Sequence, residues 1–102
     1  MILLEFAIYP NDKGENLSEY VARCVDVIDK SGLPYRFSAM STIIEGSWDE
    51  VMKVVGDCYK VLEVDCNRIA VMIRMDARKG TESRLKSKVD SVKSVLGREL
   101  ST

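Results

Sequence analysis

In the first segment the even positions Ile2, Leu4, Phe6 and Ile8 are all apolar, while the odd positions Leu3, Glu5, Ala7 and Tyr9 are mixed. A period of two predicts a strand over Ile2–Tyr9 with one face in a core. Pro10 ends it, and Asn11-Asp12-Lys13-Gly14 reads as a loop. The period then changes. Leu17, Tyr20, Val21, Cys24, Val25 and Ile28 fall on one stripe of a helix, entered at Asn16 with Glu19 three positions on and stopped by Gly32 and Pro34. Tyr35–Met40 and Ser41–Glu45 are short and rich in β-formers, which predicts two strands reversing near Met40-Ser41. Ser47-Trp48-Asp49-Glu50 has the form of a capping box and opens a second helix with Val51, Val55, Cys58 and Leu62 inward. Arg68–Asp76 is a fourth strand, with Ile69, Val71, Ile73 and Met75 on one side. Thr81 can cap a third helix whose stripe is Leu85, Val89, Val92 and Leu96, ended by Gly97.

The order β-α-β-β-α-β is the split βαβ arrangement. It predicts an α+β, ferredoxin-like antiparallel sheet with both main helices on one face and an additional C-terminal helix. Right-handed crossovers are expected to place strands one and three side by side and parallel. The even face of strand one and the odd face of strand four are expected to meet the helices. On the other face Leu3, Ala7, Tyr9, Ala70 and Met72 surround Glu5 and Arg74. So much apolar surface calls for a cover, and the third helix and a partner subunit are the expected ones. A homo-oligomer follows as an expectation.

A length of 102 residues has room for one core, so residues 1–102 are read as a single domain. The composition, 46% hydrophobic and 30% charged, is that of an ordinary globular chain. No stretch approaches the roughly 20 apolar residues of a spanning helix. Ile2-Leu3-Leu4-Glu5 lacks the basic and small-residue pattern of a signal peptide, so a cytoplasmic location is expected. A net charge of −1 argues against nucleic acid as a partner. The local excess at Arg84, Lys86, Lys88 and Lys93 reads as the solvated face of the last helix. Cys24, Cys58 and Cys66 form no CxxC pair and are expected to be reduced. The absence of histidine removes the commonest general base and zinc ligand, and any Ser-His or Cys-His nucleophile pair. No catalytic constellation, metal set or cofactor motif is expected.

Few residues invite chemistry. Glu45 ends the apolar run Ile43-Ile44 immediately before Gly46 and a helix start. It is either hydrated at a strand end, near the positive end of the second helix, or a carboxylate at the sheet rim poised for a ligand. Thr42 and Ser38 are β-compatible hydroxyls whose ordinary role is cross-strand packing, though each can donate and accept one hydrogen bond. Alternation puts Thr42 and Glu45 on opposite faces. Asp76 and Arg78 read as a solvated ion pair beyond the fourth strand. Tyr9, Tyr35 and Tyr59 read first as half-buried packing, and Trp48 as a lid on the core.

Thr42-Ile43-Ile44-Glu45-Gly46 followed by Trp48-Asp49-Glu50-Val51-Met52 resembles the T-x-I-E-G-x-x-D-E-V signature of the thiamine-binding family of small ferredoxin-like proteins. The resemblance extends through Phe6-Ala7-Ile8-Tyr9-Pro10, Tyr20-Val21-Ala22, Ser31-Gly32-Leu33-Pro34-Tyr35, Arg68 with Ile73 and Asp76-Ala77-Arg78, and Lys88-Val89-Asp90-Ser91-Val92. It implies non-catalytic binding of thiamine, or its hydroxymethylpyrimidine portion, by a homotetramer assembled through the sheets. Thr42 and Glu45 are the matching positions for ligand contact. Ser38 is a further candidate, and Glu5 and Tyr9 would suit the thiazolium cation. Two departures stand out: Tyr59 where the family often has His, and Ala39-Met40-Ser41 where it commonly has Pro-Met-Gly. The competing classes are an oligomer sensing another small molecule, such as an amino acid, and a small-ring-processing enzyme using Glu45 or Asp76.

Overall fold

The computed structural model describes all of residues 1–102. Strands β1 (Ile2–Pro10), β2 (Tyr35–Phe37), β3 (Thr42–Gly46) and β4 (Ile69–Ala77) form one antiparallel sheet in the order β2-β3-β1-β4. Helices α1 (Ser18–Lys30) and α2 (Trp48–Glu63) pack on one face of it, and α3 (Ser87–Leu96) follows β4. This is the ferredoxin-like α+β fold. Strand β1 lies beside β3 as expected, but antiparallel to it rather than parallel. The crossover rule governs the pairs β1/β2 and β3/β4, and in this order a strand intervenes within each pair.

The alternation in β1 places Ile2, Leu4, Phe6 and Ile8 in the core, against Cys24 and Ile28 of α1 and Val51, Val54, Val55, Cys58 and Leu62 of α2. Register puts Met75 beside Leu4 and Ile73 beside Phe6, so the odd residues of β4 share the helix-facing side. The helices cover the centre of the sheet better than its edge. Val71 and Ile73 on that side stay exposed, as does Met72 on the other.

Helix α2 starts through the capping box: the Glu50 amide donates to Ser47 Oγ and the Ser47 amide to Glu50 Oε1. At α1 the cap slips. Leu17 occupies the N-cap and Asn16 Oδ1 instead accepts from the Ser18 amide at 3.3 Å. The β2–β3 reversal spans Ser38–Ser41, closed by the Ser38 amide donating to Ser41 O. Helix α3 begins six residues after Thr81, because residues 83–84 are tied to the sheet edge, as described below. None of its residues is buried and its tie to the sheet is the Lys88 side chain at Asp76, so it leaves most of the second sheet face uncovered. Gly97 closes it in the left-handed conformation at φ 69°, which glycine adopts without steric cost. Trp48 is 56% exposed and is not the core lid expected of it. It sits at the first helical position, beyond the reach of the core side chains that begin at Val51.

Candidate functional site

Strand β3 begins at Thr42, paired with Phe6, whereas β1 runs on to Pro10 paired only with β4. Residues 7–9 of β1 therefore present an open edge. The Ser38–Ser41 turn folds beside that edge and Val21, Cys24 and Val25 of α1 close over it, leaving a cavity of about 370 Å³. That size lies within the ordinary range for small-molecule sites. Its walls are mostly apolar and include Phe6, Tyr9 and Phe37. The polar lining residues are few: Thr42, Ser38, Ser41 and Tyr9.

Two of those hydroxyls are already used as donors. Ser38 Oγ donates to Ser41 O at 2.9 Å, and Ser41 Oγ donates to Glu5 Oε2 at 3.0 Å. Thr42 differs. It is 6% exposed and faces the cavity, and its hydroxyl makes no hydrogen bond within the chain yet is not sealed from solvent. Unpaired and open to the cavity, that hydroxyl can donate to or accept from a ligand there.

Thr42, Ser38 and Tyr9 thus come together in one cavity. Glu5 stands behind it, joined through Ser41, with its other oxygen 3.3 Å from Arg74 Nη2. Glu45 is separated from the rest. It pairs in register with Leu3 on the opposite face, as alternation requires. The hydrated reading of Glu45 is overturned, since it is 1% exposed. Ser83 Oγ donates to its Oε1 at 2.5 Å and the Arg84 amide to its Oε2 at 2.6 Å. These bonds fasten the β4–α3 segment onto the sheet.

Arg84, expected on a solvated helix face, is likewise buried. Its Nη2 donates to Met1 O and Asp76 O, both at 3.0 Å. Asp76 is no simple pair with Arg78: Lys88 Nζ lies 2.5 Å and Arg84 Nη1 2.9 Å from Oδ2, and Arg78 Nε 3.9 Å from Oδ1. The Lys88 hydrogen bond, then the charges of Lys88, Arg84 and Arg78, hold the Asp76 carboxyl below its ordinary range. Arg23 does the same for Asp65, and Lys86 for Asp90. A carboxyl depressed in the folded state contributes stability above its unfolded value, and that contribution is lost as pH falls through the folded value. The thermal midpoint should therefore hold down to about pH 5 and fall below about pH 4. A midpoint that rose on acidification from pH 5 to 3 would contradict these assignments.

Sequence reasoning missed the cavity's helical wall and the buried role of Arg84. Val21 and Val25 belong to the α1 stripe, yet both remain only half-buried. An apolar stripe wider than its core can cover was the available signal.

A family model described as thiamine-binding protein matches residues 4–93, which span the cavity and the Glu45 fastening alike. The chain belongs to the thiamine-binding protein family. Similar members include the UPF0045 protein Mb1933 of Mycobacterium bovis, 35% identical over 96 residues, covering 93% of this chain and 94% of that protein. The UPF0045 protein MJ1052 of Methanocaldococcus jannaschii is 29% identical over 91 residues, covering 89% and 91%. The crystal structure of MJ1052 superposes with a TM-score of 0.82 at 28% identity, covering 89% of this chain and 94% of that one. A Thermotoga maritima structure, described as that of a candidate thiamine biosynthesis or salvage protein, superposes with a TM-score of 0.78. At 22% identity, over 89% of this chain and 97% of that one, it shares the fold of this thiamine-binding family member.

Proposed function

We propose that this protein binds thiamine, or its hydroxymethylpyrimidine portion, without chemical turnover, in the cavity between the open edge of β1, the Ser38–Ser41 turn and α1. The observation that carries the reading is the hydroxyl of Thr42, unpaired within the chain and open to a largely apolar cavity. Family membership supplies the ligand class. An aminopyrimidine offers a ring nitrogen beside an amino group, and either can meet Thr42. The accepting lone pairs of Ser38 and Ser41 suit the amino group. Phe6, Tyr9 and Phe37 suit a flat ring, and a thiazolium cation gains from an aromatic face. Glu5 adds negative potential behind Ser41, and Glu45 serves indirectly by holding the β4–α3 segment.

Thr42→Val preserves shape and removes the hydroxyl. It is expected to weaken thiamine binding about 3- to 10-fold, the equivalent of one hydrogen bond of about 0.5–1.5 kcal/mol. Calorimetric titration with unchanged affinity would remove Thr42 from the site.

The same reading includes a homotetramer assembled through the sheets. Its support is the open edge of β4 with Val71, Met72 and Ile73 exposed, a nine-residue strand that invites pairing. Sedimentation at micromolar concentration is expected to give an oligomer, and a clean monomer would remove this part of the proposal.

A further inference from the structure

At the opposite end of β1 from the thiamine cavity, a second concavity of about 210 Å³ lies between the β4–α3 segment and the first turns of α3. Arg78, Lys79, Arg84 and Lys88 line it with a single carboxylate, Glu82. We propose that this concavity binds a phosphate-type dianion, either free phosphate or the terminal group of a small phosphate ester.

Charge is the first argument. Three of the four cations, Arg78, Arg84 and Lys88, converge on one carboxylate, Asp76. One negative charge cannot balance three positive ones, and Lys79 adds a fourth that joins no ion pair. The larger groove between α1 and α2 has a different character. There Lys30 pairs with Asp26 and Lys53 with Asp57, and Glu50 also lines the wall, so no positive excess remains.

Preorganisation is the second. The Arg84 side chain is only 7% exposed and is fixed by two carbonyl oxygens. Its Nη1 stands 2.9 Å from Asp76 Oδ2, buried behind this wall and out of line for a hydrogen bond, so it contributes fixed charge to the concavity rather than a free donor. A charge held in low dielectric acts on an anion more strongly than a solvated lysine does. Arg78 is 62% exposed, and its planar fork matches two oxygens of a tetrahedral anion.

The third is the start of α3. Its N-cap is Lys86, which supplies no side-chain hydrogen bond to the first turn, and Ser87 and Lys88 of that turn line the concavity. The helix N-terminus therefore borders the same space as the four cations and adds to its positive potential, although the Lys88 amide is already bonded to Arg84 O. The site shares no residue with the thiamine cavity and stands whether or not that reading does.

Titration of the full chain with inorganic phosphate and with methyl phosphate, followed by phosphorus NMR and thermal unfolding at constant ionic strength set with chloride, tests this. Saturable binding at millimolar concentration or tighter is expected. Both probes binding identifies the group of an ester; phosphate alone identifies free phosphate. An Arg78→Ala/Lys79→Ala double variant, altering only exposed side chains, should weaken binding at least tenfold. A Lys30→Ala/Lys53→Ala variant should bind as the unaltered chain does, and so should Thr42→Val. Phosphate acting no differently from chloride, or equal binding by the Arg78/Lys79 double variant, would overturn the proposal.

Discussion

Glu45→Ala is expected to destabilise the fold by about 3 kcal/mol, because it leaves the Arg84 amide and the Ser83 hydroxyl without their acceptor in a buried place. The carboxylate is 1% exposed, so water does not readily take its part. The consequence reaches beyond the strand. Residues 83–84 also carry the guanidinium that binds Met1 O and Asp76 O, and releasing them loosens the edge of β4 and the start of α3 together. Glu45→Gln keeps an acceptor oxygen for one of the two donors and should recover about half of the loss. Urea unfolding of the two variants checks this. A loss below about 1 kcal/mol for Glu45→Ala would show that the segment is held by other contacts.

Leu4→Ala should cost about 3–4 kcal/mol, near the middle of the range for buried leucines. Leu4 lies on the central strand, fully buried, with Ile44 beside it on β3 and Met75 on β4. Neighbours on both sides are held in register by ladder hydrogen bonds and cannot close the gap. For a domain of this length the thermal midpoint should fall by about 15 °C or more. Met75→Ala makes a useful comparison, since that residue sits on the poorly covered edge strand and should cost less. Equal losses at the two positions would mean that Met75 is as well covered in solution as Leu4, by something beyond this chain's own helices.

Residues whose environment is fixed by their own periodicity were legible in the sequence. Ile2, Leu4, Phe6 and Ile8 alternate without exception, and all four are buried. Val51, Val55, Cys58 and Leu62 recur at helical spacing and form the inner face of α2. The hairpin was placed within two or three residues, because no Asn-Gly pair marks a turn that Ser38 closes with both its amide and its hydroxyl. What could not be read were contacts between segments distant in sequence. Glu45 meets Ser83 and Arg84 nearly forty positions away, and nothing local distinguishes such a carboxylate from a hydrated one. Arg84 misled for the same reason, since in a run with Lys86 and Lys88 it looks solvated, and only the fold brings Met1 O and Asp76 to it. The candidate site was half legible. Thr42, Ser38 and Tyr9 were singled out by type and position and share one cavity, but the apolar wall from α1 depends on how far that helix stands from the open edge of β1.

The account rests most heavily on the cavity beside Thr42 as the thiamine site, and calorimetric titration of thiamine and of hydroxymethylpyrimidine into the unaltered chain and Thr42→Val tests it most directly. Saturable binding of both compounds to the unaltered chain, weakened about 3- to 10-fold by the substitution with folding stability preserved, is the predicted result. No binding of either compound at millimolar concentration, or binding that Thr42→Val leaves untouched, would contradict it.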